Sequence, residues 1–60
     1  SGLFSIKTEG FIKAEIFNSL GQMLLASDKK EMDIMNFSRG IYWVKVITDN
    51  QILTKKLIKQ

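Results

Sequence analysis

The chain has 60 residues, a formal net charge of +3, 45% hydrophobic and 25% charged residues, and neither cysteine nor histidine. This is globular composition, too apolar for a disordered tail, and it excludes disulfide scaffolds, zinc and iron–sulfur sites, thiol nucleophiles and any triad that needs an imidazole base. A folded chain of this mass hides roughly 6,000 Å² of surface, the low end for a domain that folds alone.

Without cysteine the redox compartment stays open. No apolar run reaches the length of a membrane span, and no basic-then-apolar signal peptide opens the chain. The chain starts Ser1-Gly2 in mid-pattern, so a fragment of something larger is expected. The positive charge gathers late, at Lys55, Lys56 and Lys59, with neither interleaved aromatics nor a nucleic-acid motif around it. The acids Glu9, Glu15, Asp28, Glu31, Asp33 and Asp49 form no obvious pair. The expectation is a non-enzymatic chain with no metal, no cofactor and no nucleic-acid partner.

In chain order, turn signals fall at Glu9-Gly10, Asn18-Ser19-Leu20-Gly21, Ser27 to Glu31, Ser38-Arg39-Gly40 and Asp49-Asn50. Short apolar segments between such turns predict a small antiparallel β-sandwich. In the first segment Phe4 and Ile6 share a face, opposite Ser5 and Lys7. In the second, Ile12, Ala14 and Ile16 form the expected core face, and Phe11, Lys13, Glu15 and Phe17 the outer one. The stretches Gln22–Ala26 and Met32–Phe37 are shorter and less clean, and Met23, Met32 and Met35 are expected to fill gaps in the core. In the fifth segment Tyr42, Val44 and Val46 face the core, opposite Ile41, Trp43, Lys45 and Ile47. Trp43, Phe11 and Phe17 would then share an outer surface patch, either an interface or a surface that another layer covers.

The last segment breaks the alternation. Ile52, Thr54, Lys56 and Ile58 lie on one side, and Leu53, Lys55, Leu57 and Lys59 on the other, so each face mixes apolar groups with lysine. An edge strand explains this, since lysines snorkel over a rim and deter edge pairing. A strand read by a partner explains it too. A rival helix over Ile12, Ile16, Leu20 and Leu24 would enclose Asn18, Ser19 and Gly21, and an interior glycine alone costs about 1 kcal/mol. Strands are therefore expected.

Three stretches carry a resemblance when taken in order: Ile16-Phe17-Asn18-Ser19-Leu20-Gly21-Gln22, Ile34 through Gly40-Ile41-Tyr42, and the terminal Thr54-Lys55-Lys56-Leu57-Ile58. Together they resemble the type A C-terminal sorting domain of type IX secretion cargo in Bacteroidetes, the Por secretion tail. The opening Ser1-Gly2-Leu3-Phe4-Ser5-Ile6 resembles the segment after that family's Pro-Asn-Pro motif, which is itself missing. Phe37 stands where leucine is commoner, and Trp43 where another apolar residue is usual. The resemblance implies an all-β, Ig-like sandwich of seven strands, with or without its N-terminal strand here, and one sorting domain over 1–60. It further implies a non-catalytic secretion signal. Outer-membrane translocon and shuttle proteins would recognise it, a sortase-like transpeptidase would remove it, and its cargo would pass through the periplasm to the cell surface or medium.

Within that frame Asn18 and Gly21 suit a tight turn with left-handed geometry, Gly40 a sharp entry into the next strand, and Tyr42 a buried ring whose hydroxyl needs an acceptor. Thr54, Lys55, Lys56, Leu57 and Ile58 are the expected partner-binding residues, through strand addition at an edge. The alternatives are an Ig-like surface module for adhesion or carbohydrate binding, with Trp43 stacking on sugar rings, and a plain structural β-module.

Overall fold

Period-2 alternation of apolar and polar side chains dictates strands, and the computed structural model, which describes residues 3–60, contains six of them. They are β1 (Leu3–Ser5), β2 (Phe11–Phe17), β3 (Met23–Ser27), β4 (Glu31–Asp33), β5 (Gly40–Thr48) and β6 (Ile52–Lys59). Ser1 and Gly2 of the opening motif lie outside the described residues. Ile12, Ile16 and Leu24 lie on the adjacent strands β2 and β3, with Leu20 in the turn between, so the helical stripe is not realised.

All pairings are antiparallel. One sheet has the order β3-β2-β5-β6, and β1 pairs with β4 in a second, two-stranded sheet. Chain order and pairing together reproduce an Ig-like sandwich: β1 and β4 stand as strands B and E, and β3, β2, β5 and β6 as C′, C, F and G. Strand A, whose place is beside β1, has no counterpart among the described residues.

The core is small. Ala14 and Ile16 from β2, Met32 from β4, Ile34 after it, and Tyr42, Val44 and Val46 from β5 are buried. Phe4, Ile6, Leu25, Leu53 and Leu57 pack against them while partly exposed. β5 pairs on both sides, so its inward row contributes most to this layer.

Three expectations need correction, one of parity, one of packing and one of strand extent. A β-bulge interrupts the β2–β5 register between Phe11, opposite Thr48, and Lys13, opposite Ile47. The extra residue is Ile12. It turns outward, 51% exposed, and Phe11 packs against the core instead. Of the three methionines only Met32 is core; Met23 (54% exposed) and Met35 (64%) are on the surface. The segment Met32–Phe37 is strand only through Asp33. There the Asp33 carboxylate accepts from Met35 N–H at 2.9 Å, and Phe37 N–H donates to the Ile34 carbonyl at 3.0 Å. An aspartate side chain that bonds the backbone two residues on offers a turn in place of a ladder.

The bulge makes a prediction of opposite outcomes at neighbouring positions. Phe11→Ala is expected to cost about 2 kcal/mol, below the range for a fully buried phenylalanine because Phe11 keeps some exposure. Ile12→Thr is expected to stay within about 0.5 kcal/mol of the parent. Urea unfolding midpoints of the two variants check this; the unbroken alternation would give the reverse order.

Candidate functional site

The hairpin between β2 and β3 is built by one side chain. Asn18 Oδ1 accepts from Leu20 N–H and from Gln22 N–H, both at 2.9 Å, and Asn18 Nδ2–H donates to Gln22 Oε1 at 2.8 Å. The backbone closes the same loop, with Gly21 N–H donating to the Asn18 carbonyl at 3.0 Å and Asn18 N–H to the Gln22 carbonyl at 2.9 Å. Gly21 has φ of +85°, and a Cβ there would meet nothing within 4 Å. Its requirement is therefore dihedral rather than spatial. Asn18 does not itself adopt positive φ; Gly21 supplies the left-handed residue of the turn, and Asn18 acts by hydrogen bonding.

Gly40 opens β5 with φ of +152° and equally open space around it. Two residues on, Tyr42 is buried, and its hydroxyl donates to the Ser38 carbonyl at 2.6 Å. Its ring tilts against Phe37 at 5.1 Å between centroids. A tyrosine at the start of strand F that bonds back to the chain upstream is the tyrosine corner of Ig-like sandwiches. It ties the connection from β4 to the head of the central strand.

The far end of β5 uses a residue that pattern reasoning passed over. Thr48 is buried, and its Oγ1 accepts from Gln51 N–H at 3.0 Å and lies 3.1 Å from the Gln51 carbonyl. The hydroxyl takes the place of the carbonyl that ordinarily closes a turn, so Asp49 and Asn50 complete the hairpin without positive φ. A threonine directly before Asp-Asn was the available signal.

β6 is an edge strand, paired with β5 on one side only. Leu53 and Leu57 face the core and Ile52 and Ile58 the solvent. Lys55 lies opposite buried Val44, so it stands in the inward row between the two leucines. Lys56 lies opposite Trp43 and Thr54 opposite Lys45. Between β6 and β1 the two sheets leave an open seam, a cleft of about 410 Å³. Phe4, Ile6, Leu53 and Leu57 line it, with Lys55 and Lys56 at its rim. The residues of β6 are legible in the sequence but this seam is not, because which strand lies across from β6 is a long-range fact.

The outer aromatic patch is brought together only in part. Phe17 and Trp43 are direct cross-strand partners, and Trp43 is 39% exposed. Phe11 sits at the other end of β2, roughly 20 Å away along the strand, and packs against the core. Met23, paired with Phe17, and Ile41 extend the exposed apolar surface instead.

A small Ig-like β-sandwich with a tyrosine corner and an open seam along one edge is what the fold defines. A family model described as the secretion system C-terminal sorting domain matches residues 1–60. The chain belongs to that family, the type IX secretion sorting domains. The family is one of non-catalytic secretion tags, and membership implies dealings with the secretion machinery and export to the cell surface or medium. Comparison with curated proteins and with solved structures gave no match. Among the described residues no helix is long and apolar enough to cross a membrane.

Two substitutions weigh these turns. Tyr42→Phe keeps the ring and removes the bond to Ser38, and is expected to cost about 1–2 kcal/mol. Asn18→Ala removes the acceptor shared by two backbone N–H groups at an exposed turn, with an expected cost of about 1 kcal/mol. Each is read as a fall in urea midpoint at unchanged slope; an unchanged midpoint for Tyr42→Phe would deny the corner its structural role.

Proposed function

We propose that residues 1–60 form one C-terminal sorting domain cut from a larger secreted protein, and that it is recognised through β6. In this reading a shuttle protein of the outer-membrane translocon pairs with the free edge of β6. Main-chain bonds give affinity, and the side chains of Thr54, Lys55, Lys56, Leu57 and Ile58 give specificity. After passage from the periplasm a sortase-like transpeptidase removes the domain, leaving the cargo at the cell surface or in the medium. The domain performs no chemistry of its own.

The observation that carries this reading is the edge itself. β6 is eight residues long, paired on one side, and bordered by an open apolar cleft. Edges of that length are ordinarily covered or shortened. Asn18, Gly21, Gly40 and Tyr42 have structural roles in this scheme: they hold the hairpins whose register presents β6. The alternative of a surface adhesion or carbohydrate-binding module draws on the pairing of Phe17 with exposed Trp43.

The test fuses the chain to a periplasmic fluorescent protein and follows its export from a type IX-competent host and from one lacking the translocon. Export is expected only from the first. Deleting the chain from Thr54 onward is expected to abolish it. Because that deletion also strips Leu57 from its place against the core, Lys55→Ala with Lys56→Ala is run beside it and is expected to lower export while leaving the free energy of unfolding within about 0.5 kcal/mol of the parent. Trp43→Ala is expected to export normally; loss of export there with intact Lys55 and Lys56 variants would move recognition to the aromatic patch.

A further inference from the structure

We propose that the outer face of the four-stranded sheet, at the end that holds the β2–β3 turn, rests on an anionic lipid surface. Leu20 and Trp43 enter the interfacial layer, and Arg39, Lys56 and Lys59 meet the headgroup charge. The proposal goes beyond the sorting reading and does not depend on it. This face looks away from β1 and β4, whose Phe4 and Met32 join the core on the inward side, so it is neither the seam nor the place of strand A.

The apolar side chains here form one surface. Phe17 pairs with Met23 on one side and with Trp43 on the other, and Ile41, two residues before Trp43, pairs with Ile58. Met23, Ile41, Trp43 and Ile58 are exposed. Leu20 lies in the turn that joins Phe17 to Met23 and is 82% exposed, more than any other large apolar side chain among the described residues. A patch that runs from a sheet face onto a turn tip is convex, a shape that suits a bilayer better than a peptide or a small ligand. Tryptophan, with an apolar ring and a polar N–H, favours such an interface.

Charge decides which lipid. Residues 16–25, 38–43 and 56–60 build this end, and they contain Arg39, Lys56 and Lys59 and no acid. Glu15, the next residue along β2, is held in ion pairs by Lys13 at 3.5 Å and Lys45 at 3.9 Å. A second copy laid on this end by a two-fold axis would offer these cations only more cations, and like charges at an interface are unfavourable. An anionic leaflet supplies hydrocarbon and negative charge together, and its attraction for basic residues adds to the burial of apolar surface.

The turn itself is prepared to leave water. Backbone polar groups carried into a membrane must find their partners within the protein. Here the amides of Asn18, Leu20, Gly21 and Gln22 all bond within the turn, and Asn18 Nδ2–H donates to Gln22 Oε1. Moving Leu20 into the interface therefore strips water from few unsatisfied groups.

Trp43 is the sole tryptophan of the chain and reports the contact directly. The native chain is titrated with vesicles of phosphatidylcholine alone and of phosphatidylcholine with an equal share of phosphatidylglycerol. With the anionic vesicles a blue shift of Trp43 emission and co-sedimentation are expected, with binding roughly tenfold tighter than to the neutral ones and weakened by raised salt. Leu20→Asp is expected to lose roughly tenfold in affinity. Ile52→Asp makes the same change on the same face at the opposite end, about 20 Å along β6 from Ile58 and beyond the screening length, and is expected to stay within roughly twofold of the parent. Arg39→Gln with Lys59→Gln is expected to weaken binding roughly tenfold. The near-ultraviolet signal of Trp43 and Tyr42 checks the fold of each variant. Equal binding of the two vesicle types, binding of neither, equal losses for the two aspartate variants, or burial of Trp43 in a dimer of the free chain overturns the proposal. None of these outcomes bears on export of the reporter fusion, so the sorting reading is tested separately.

Discussion

The inward row of β5 is the constraint from which the rest of the molecule follows. Tyr42, Val44, Val46 and Thr48 alternate along one strand, and all four are buried. Because β5 pairs with β2 on one side and β6 on the other, its register decides which side chains of both neighbours face inward. Ala14 and Ile16 are core because they oppose Val46 and Val44; Leu53 and Leu57 are inward because they oppose Val46 and Tyr42. A slip of one residue would turn every one of them to water. The two ends of β5 are correspondingly fixed by side-chain hydroxyls, Tyr42 onto the Ser38 carbonyl at its head and Thr48 onto Gln51 at its foot. Burying a hydroxyl is unfavourable unless it is hydrogen-bonded, so each bond also selects the one chain path that satisfies it.

This dependence explains what could be read from the residues. The row of β5 and the outward placement of Trp43 follow from parity alone, as does the inward placement of Phe4 and Ile6. Alternation is a local property, and strong wherever one face is apolar throughout. The turn at Asn18 to Gly21 is legible for a similar reason: its hydrogen bonds span at most four residues. Recognition of three ordered stretches reached the family, because those stretches contain the turns and the tyrosine corner that the sandwich needs.

What parity could not reach is set by partners distant in sequence. Ile12 and Phe11 exchange faces because the foot of β2 takes a bulge against Thr48, more than thirty positions away in the chain. The seam is the extreme case. Neither β1 nor β6 carries a signal that the two will border one cleft without pairing. That placement follows from β1 joining β4 and β6 joining β5 in different sheets.

An edge that is to be read by another chain faces a conflict. It must leave backbone groups and apolar surface open, and those same features invite pairing with any strand, copies of itself included. A small domain has little margin for the usual remedies. A shorter β6 would lose Leu53 or Leu57, and both pack against the buried core. A bulge would shift the register that places them. Charge in the inward row is the remedy that costs the fold least, since Lys55 reaches solvent through the seam and disturbs no pairing with β5. It also discriminates by sign, which neither a bulge nor a shortened strand can do. The mixed faces of β6, which look like a poor strand when judged by amphipathicity, therefore suit an edge whose lysines deter pairing with its own copies.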